Sequence, residues 1–325
     1  MRILIRTFND HINSKSGAEL PIGMKRGTDD WKKFDNILIE SLLSLGHEVH
    51  SQEESPLIEN CPGVWDKIFY VHQCKRDKPD GNFFYQQMHM RELFTLDTDG
   101  WGADASNNTF KPGDVNDKEA KVFCQALSAH IHASGTSKID QVGGTSDTPS
   151  NFILVPLQIP RDYTIKHHSP VTVRYFVDSI MSWAEESNTH VCIKMHPHNK
   201  MDRDLHQAVE EGTQVSDYVH KVEGNINELI RRSSGLFVIN SGTGFEGLIH
   251  GKPVATFGDC DYRRVTFNAD LRRLDQAREF LYEYEDEWRD IGYQFIYWYY
   301  HLHAYDVTKS ETKQRLTDYL RSHLL

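Results

Sequence analysis

Gly235-Leu236-Phe237-Val238-Ile239-Asn240-Ser241-Gly242-Thr243-Gly244-Phe245-Glu246-Gly247-Leu248, continuing to Gly251-Lys252-Pro253-Val254-Ala255-Thr256-Phe257, is the stretch that decides the fold. An apolar run ends in polar Asn240-Ser241, a glycine turn follows, and Phe245 to His250 reads as a helix before the next apolar run. Continuous hydrophobicity, in place of strict alternation, marks a strand covered on both faces, as in a parallel sheet. Strand, glycine turn, helix and strand together make the crossover unit of an α/β domain. Ligands of such domains sit at the carboxyl ends of the strands.

The same alternation extends in both directions. Phe152-Ile153-Leu154-Val155-Pro156-Leu157 reads as a strand, Val171 to Glu186 as an amphipathic helix and Val191-Cys192-Ile193-Lys194-Met195 as the next strand. Asn227-Glu228-Leu229-Ile230 begins a short helix. Near the start, Ile3-Leu4-Ile5 reads as a buried strand that opens into polar Asn9-Asp10-His11, and Gly17 to Thr28 as loop. Trp31, Phe34, Ile37, Leu38, Leu42 and Leu45 recur at helical spacing, with Asp29 or Asp30 as cap and Gly46 as stop. Strands at Glu48-Val49-His50 and Ile68 to His72 follow. Residues 75–120 mix aromatics with turn formers and show no single period.

Thr136 to Ser150 is rich in Gly, Ser and Thr and reads as a linker. The expected organisation is an N-terminal α/β domain over 1–140, a linker at 141–150, a C-terminal α/β domain over 151–275 and a helical segment over 276–325. That last segment carries Tyr297-Trp298-Tyr299-Tyr300 and is expected to pack across both domains.

Composition narrows the function. With 36 Lys and Arg against 47 Asp and Glu, the net charge of −11 argues against nucleic acid and anionic membrane as default partners. Apolar residues at 38% and aromatics at 11% supply a core, which rules out a disordered chain. No apolar run is long enough for a membrane-spanning helix, and Met1 to Thr7 turns polar too soon for a secretory signal. Cys61, Cys74, Cys124, Cys192 and Cys260 are scattered and odd in number, which suits reduced thiols in the cytoplasm.

Three segments that follow strands carry the candidate chemistry. Gln158-Ile159-Pro160-Arg161-Asp162, with Lys166-His167-His168-Ser169-Pro170, is the first, and Lys194-Met195-His196-Pro197-His198 is the second. The third is Asn240 to Leu248 with Gly251-Lys252-Pro253. In it, glycines and hydroxyl residues expose backbone N–H groups at a helix start, which favours an anion such as phosphate. It lacks the Gly-Lys-Ser/Thr of a P-loop and the preceding glycine of a hydrolase elbow. Alternatively it is a plain tight turn, and His196 a solvent-exposed turn histidine. His196 and His198 with His167 and His168 lack the spacing of a metal site, so no metal is expected.

In combination these segments resemble a known family. Gln158 and Asp162 with Ile165 and His168-Ser169, then Lys194 and His196-Pro197, then Asn240-Ser241 through Glu246 and Gly251-Lys252-Pro253, resemble the capsule polysaccharide biosynthesis and export protein family over residues 151–265. The resemblance implies a GT-B-like α/β fold: two Rossmann-like domains with a cleft between them and a C-terminal helix packing across. It implies a glycosyltransferase that passes Kdo, an acidic sugar, from CMP-Kdo to a saccharide or glycolipid acceptor, with retention and without a divalent metal.

In that reading Ser241, Gly242, Thr243 and Gly244 hold the donor phosphate with His196, and Lys194 adds charge as CMP leaves. Glu246 binds ribose hydroxyls or the cytosine amino group, or else is a solvated helix carboxylate. Asp162 is the nucleophile or oxocarbenium stabiliser, and Gln158 positions the sugar. Arg161, Lys166 or His168 pairs with the carboxylate of an acidic sugar. No cofactor is implied beyond the CMP-sugar donor, and the expected setting is cytoplasmic, compatible with peripheral association at the inner face of the membrane.

Two other readings stand beside it. Leu93-Phe94-Thr95-Leu96-Asp97-Thr98-Asp99 ends an apolar strand in Asp-x-Asp, as metal-dependent GT-A transferases do, or makes an ordinary turn. A non-catalytic saccharide-binding or assembly protein would keep the fold without the activity.

Overall fold

Two units emerge from a computed structural model that describes residues 1–7, 29–53, 64–139, 144–199 and 202–324: one of residues 1–109 and 299–325, the other of 110–298. The expected polar exit at Asn9-Asp10-His11, the loop Gly17 to Thr28, Cys61 and linker positions 141–143 lie outside the described residues.

In the first unit β1 (Arg2–Thr7) buries Ile3, Leu4 and Ile5, as a strand covered on both faces must. Helix α1 (Asp29–Ser44) buries Trp31, Phe34, Leu38 and Leu42, the i, i+3, i+4 stripe that its sequence spells. Strands β2 (Glu48–Glu53) and β3 (Lys67–Val71) flank β1 in parallel. The sheet continues through β4 (Phe83–Gln87) and β5 (Leu93–Asp97), both in the stretch that shows no period. All five residues of each strand are buried, so there is no polar face to alternate with. β5 runs antiparallel to β4, and the sheet is mixed at that edge.

The second unit opens with α2 (Asp117–Ser134), which the sequence reading did not mark. Asn116 caps its start by accepting from the N–H groups of Lys118 and Glu119, and Gly135 at φ 65° stops it. Its sheet is parallel throughout, in the order β11-β10-β9-β6-β7-β8. The strands are β6 (Ile153–Pro156), β7 (Val191–Lys194), β8 (Val219–Val222), β9 (Gly235–Val238), β10 (Val254–Thr256) and β11 (Phe267–Asn268). The helices between them are α3 (Tyr163–His168), α4 (Val173–Ser187), α5 (Arg203–Val215), α6 (Ile226–Arg232) and α7 (Gly242–Ile249). α5 and β8 also went unread, because α5 buries only Leu205, Ala208 and Val209 and β8 only Val219 and Val222.

The unit boundary differs from the expected one, and packing explains it. α2 lies against α9 (Asp286–Trp298): Cys124 Sγ approaches Tyr293 O at 3.5 Å, and Gln294 Nε2 donates to Asp117 Oδ1 at 2.7 Å. The described part of the expected linker is also tied into this unit. Thr145 bridges Gly224, and Ser146 N donates to Glu223 O at 3.0 Å. The tail does not stay together either. α8 (Leu274–Tyr282) and α9 belong to the second unit, whereas β12 (Tyr305–Asp306) and α10 (Thr312–Leu324) belong to the first. There β12 pairs with β5, and α10 packs on α1.

Candidate functional site

In the second sheet the chain runs from β6 outward to β7 and β8, then returns to place β9 and β10 on the other side of β6. That reversal between β6 and β9 is a topological switch point, where parallel α/β sheets leave a crevice beyond the carboxyl ends of the strands. Gln158 follows β6 and Asn240 follows β9, and they meet there. Gln158 Nε2 donates to Asn240 Oδ1 at 2.8 Å, and Asn240 N donates back to Gln158 Oε1 at 3.2 Å. Asn240 Nδ2 donates to Thr164 O at 3.0 Å. Both ends of the Gln158 amide are thus committed to protein groups, and it serves as a brace between two strand exits. One N–H and one lone pair of that amide are spent on Asn240, which makes Gln158 a positioning residue for both exits.

Asp162 caps α3. Its Oδ1 accepts from Thr164 N at 3.0 Å and Thr164 Oγ1 at 3.1 Å, and Oδ2 has no hydrogen bond among the described residues. One carboxylate oxygen is structural and the other is available, on a half-buried side chain.

Ser241 caps α7, its Oγ accepting from Thr243 N at 3.3 Å. The loop is pinned from beneath by buried Tyr262, whose hydroxyl donates to Ser241 O. Burial holds that phenol well above its ordinary value, so it stays a donor. Only glycine fits at 244, since a Cβ there would lie 2.6 Å from the Tyr262 hydroxyl and 2.9 Å from its ring. The exit of β10 closes the same edge, with Asp259 N donating to His168 O at 2.8 Å.

His196 stands in the turn after β7, half-buried. Its Nδ1 accepts from His198 N at 3.1 Å, which assigns the ring proton to Nε2. Burial draws the imidazole down to about 4; His198 and Lys194 push the same way and Asp162 opposes them. At neutral pH it is therefore an uncharged donor. The coupling also places the Asp162 carboxylate within electrostatic range of the ring. The Lys194 ammonium is lowered by burial, against the pull of Glu223.

Glu246 departs from one of its two expected readings, the solvated helix carboxylate. It is 4% exposed, so it is not a solvated carboxylate, and its Oε1 accepts from Ser137 Oγ at 2.6 Å. Burial lifts its carboxyl to about 7, with Ser137 and the charge of Lys138 opposing. Ser137 carries no signal in the sequence, because it sits in a Ser/Thr/Gly-rich stretch with the composition of a linker. Thr164 was missed too, because its value depends on Asn240, 76 residues away.

Two sequence motifs lie elsewhere. Asp97 is buried, with both oxygens occupied: Oδ1 accepts from Asp99 N, Gly100 N and Ser106 Oγ, and Oδ2 from Ser106 Oγ and Asn107 N. A carboxylate saturated by its own loop makes a turn, which corrects the metal-binding alternative for Asp97 and Asp99. Gly251-Lys252-Pro253 precedes β10 and so lies at the amino edge of the sheet, opposite the Ser241 loop. Among the described residues no group of three His, Cys, Asp or Glu side chains is placed to hold a metal. No helix among them is long and apolar enough to cross a membrane.

Comparison with known proteins follows the same part of the chain. The family described as capsule polysaccharide biosynthesis protein matches residues 108–277. Protein FixF of Sinorhizobium fredii is 34% identical over 138 residues, 40% of this chain and 33% of that protein. The capsule polysaccharide modification protein LipB of Neisseria meningitidis is 31% identical over 122 residues, 34% of this chain and 29% of that one. The matches thus span about a third of the length of these curated relatives. Among solved structures, Thermosulfurimonas dismutans KpsC, a beta Kdo 2,7 transferase, superposes with a TM-score of 0.53 at 16% identity. That alignment covers 90% of this chain and 97% of that one, and establishes likeness of fold.

Proposed function

The chain belongs to the capsule polysaccharide biosynthesis protein family, and from that premise we propose that it is a glycosyltransferase using a CMP-activated acidic sugar, Kdo or a relative, with retention at the anomeric carbon. The observation that carries this reading is the convergence at one sheet edge of the α7 N-terminus, His196 and the free oxygen of Asp162.

In this reading Ser241, Gly242, Thr243 and Gly244 cradle the single phosphate of the donor. Asp162 Oδ2 attacks the anomeric carbon; the bond from that carbon to the phosphate oxygen breaks, and its electron pair leaves with CMP. His196 Nε2–H hydrogen-bonds the departing phosphate, as a neutral donor, and Lys194 balances its charge. An acceptor hydroxyl then displaces Asp162, its proton passing to solvent or to the released phosphate. The two displacements together retain configuration. Glu246, behind the loop and bonded to Ser137, supports α7 and is placed next to the nucleoside side of the cradle in this proposal. The acceptor is a saccharide or glycolipid, and no metal takes part.

Calorimetric titration with CMP, UDP, GDP and ADP tests the donor class. CMP is expected to bind most tightly, and a clear preference for UDP or GDP would overturn the CMP reading. Turnover of CMP-Kdo with saccharide acceptors then separates a transferase from a binding protein of the same fold, and EDTA is expected to leave the rate unchanged.

A further inference from the structure

The Gly251-Lys252-Pro253 turn lines a cavity of about 450 Å³ at the amino edge of the second sheet, the edge opposite the Ser241 loop. That volume lies in the usual range for small-molecule sites. Three cations reach it from three elements: Lys121 from α2, Lys252 from the α7–β10 turn and Arg289 from α9. Tyr284 and Tyr293 supply ring faces and hydroxyls beside them. In a chain of net charge −11 such a gathering is not a default surface.

The lining residues themselves carry cations and no carboxylate. Asp286 takes Arg289 Nη1 at 2.5 Å and Asp290 lies 3.8 Å from Lys121, but neither carboxylate lines the cavity. No carboxylate among the described residues pairs with Lys252, whose Nζ spends one proton on Ser233 O at 2.7 Å and keeps two. Burial lowers the Lys252 ammonium, and the nearby charges of Arg231 and Arg289 lower it further. The walls are firmly built. Arg289 lies over the Tyr284 ring at 5.6 Å, and Gly251, at φ 67°, leaves room for the Tyr293 hydroxyl that a Cβ there would displace.

We propose that this cavity is a second, anion-selective saccharide site, which takes a sugar bearing a carboxylate or a phosphate, with Lys121, Lys252 and Arg289 around the charged group and Tyr284 and Tyr293 against the ring. The site lies wholly within the second unit and does not depend on the donor reading. Arginine and lysine with tyrosine suit a hydroxylated oxyanion, because charge-assisted bonds fix the acid group while the rings cover the sugar face.

The test is calorimetric titration of the whole chain with glucuronate, glucose 1-phosphate, inorganic phosphate and glucose. Glucuronate or glucose 1-phosphate is expected to bind at least about tenfold more tightly than neutral glucose, and the tighter of the two names the natural acid group. Lys121→Ala and Lys252→Gln are each expected to weaken that binding about tenfold while the thermal midpoint stays near wild type. Exposed Lys121 makes the first of these safe for folding. Equal affinity for glucose, or inorganic phosphate binding as tightly as both sugar acids, would overturn the saccharide-acid site. So would full affinity in the Lys121→Ala protein.

Discussion

Gln158 and Asn240 hold each other by two hydrogen bonds, 2.8 and 3.2 Å long, across the point where the strand order of the second sheet reverses. Everything proposed to touch the donor in this unit hangs from the strand exits around that pair. Asp162 follows Gln158 by one turn of chain, and Ser241 follows Asn240 directly.

Removing this brace is expected to be a stability change first. Gln158→Ala leaves buried Asn240 without two of its hydrogen bonds, at a cost of about 1–3 kcal/mol. Urea denaturation measures it. A loss below a few tenths of a kcal/mol would show that the two exits hold their positions without the pair.

Asp162→Asn separates capping from chemistry. Asparagine keeps the Oδ1 acceptor for Thr164, so α3 stays capped and the protein folds with its nucleotide affinity intact. Transfer is expected to slow about a hundredfold or more in single-turnover assays, because the proposed nucleophile would lose its charge. Activity within a few-fold of wild type would take Asp162 out of the mechanism.

His196→Ala is expected to lower turnover about a hundredfold, by removing the donor proposed for the leaving phosphate, while the melting temperature stays close to wild type. Because the wild-type ring is already neutral near pH 7, its contribution is expected to be flat from pH 6.5 to 8. An unchanged rate in the variant would return His196 to the role of a turn residue.

Glu246 sets a pH dependence of stability. Between the ordinary carboxyl value of 4.5 and about 7, the unfolded chain gives up a proton that the folded chain retains, so stability falls as pH rises through that window. His196 and His250, both drawn down to about 4 by burial, act in the opposite sense from about 4 to 6.5. Their unfolded forms bind protons that the folded forms refuse. Glu246→Gln isolates the first effect. Its stability relative to wild type is expected to improve from pH 4.5 to pH 7 by on the order of 1–3 kcal/mol, read from urea midpoints. A difference that does not change with pH would mean that the carboxyl ionises as it does in water.

Much of this architecture is local in origin and was readable residue by residue. Phe152 to Leu157, Val191 to Met195, Leu236 to Ile239 and Val254 to Phe257 declare buried parallel strands, because a strand covered on both faces has no polar residue to interrupt it. The glycine turn at Ser241 declares itself for the same kind of reason, since a helix start needs a cap and leaves N–H groups free. Quieter elements escaped. α5 and β8 bury only two or three apolar side chains each and show no period. β4 buries polar Gln86 and Gln87 beside its aromatics, whereas β5 is legible as the apolar run that ends at Asp97.

What long-range packing alone decided is which side chains are already occupied. Gln158 looks available in sequence and is bonded to a residue 82 positions away; Glu246 looks solvated and is buried on Ser137, 109 positions away. Asp97 looks like half a metal site, and its lone pairs are filled by donors from its own following loop, as far on as Asn107. Gly251-Lys252-Pro253 looks continuous with the Ser241 loop, yet one helix of eight residues carries it to the opposite edge of the sheet. Hydrophobic period reports only which face of an element is covered. Hydrogen bonds between segments distant in the chain depend on strand order, and strand order exists only in the folded protein.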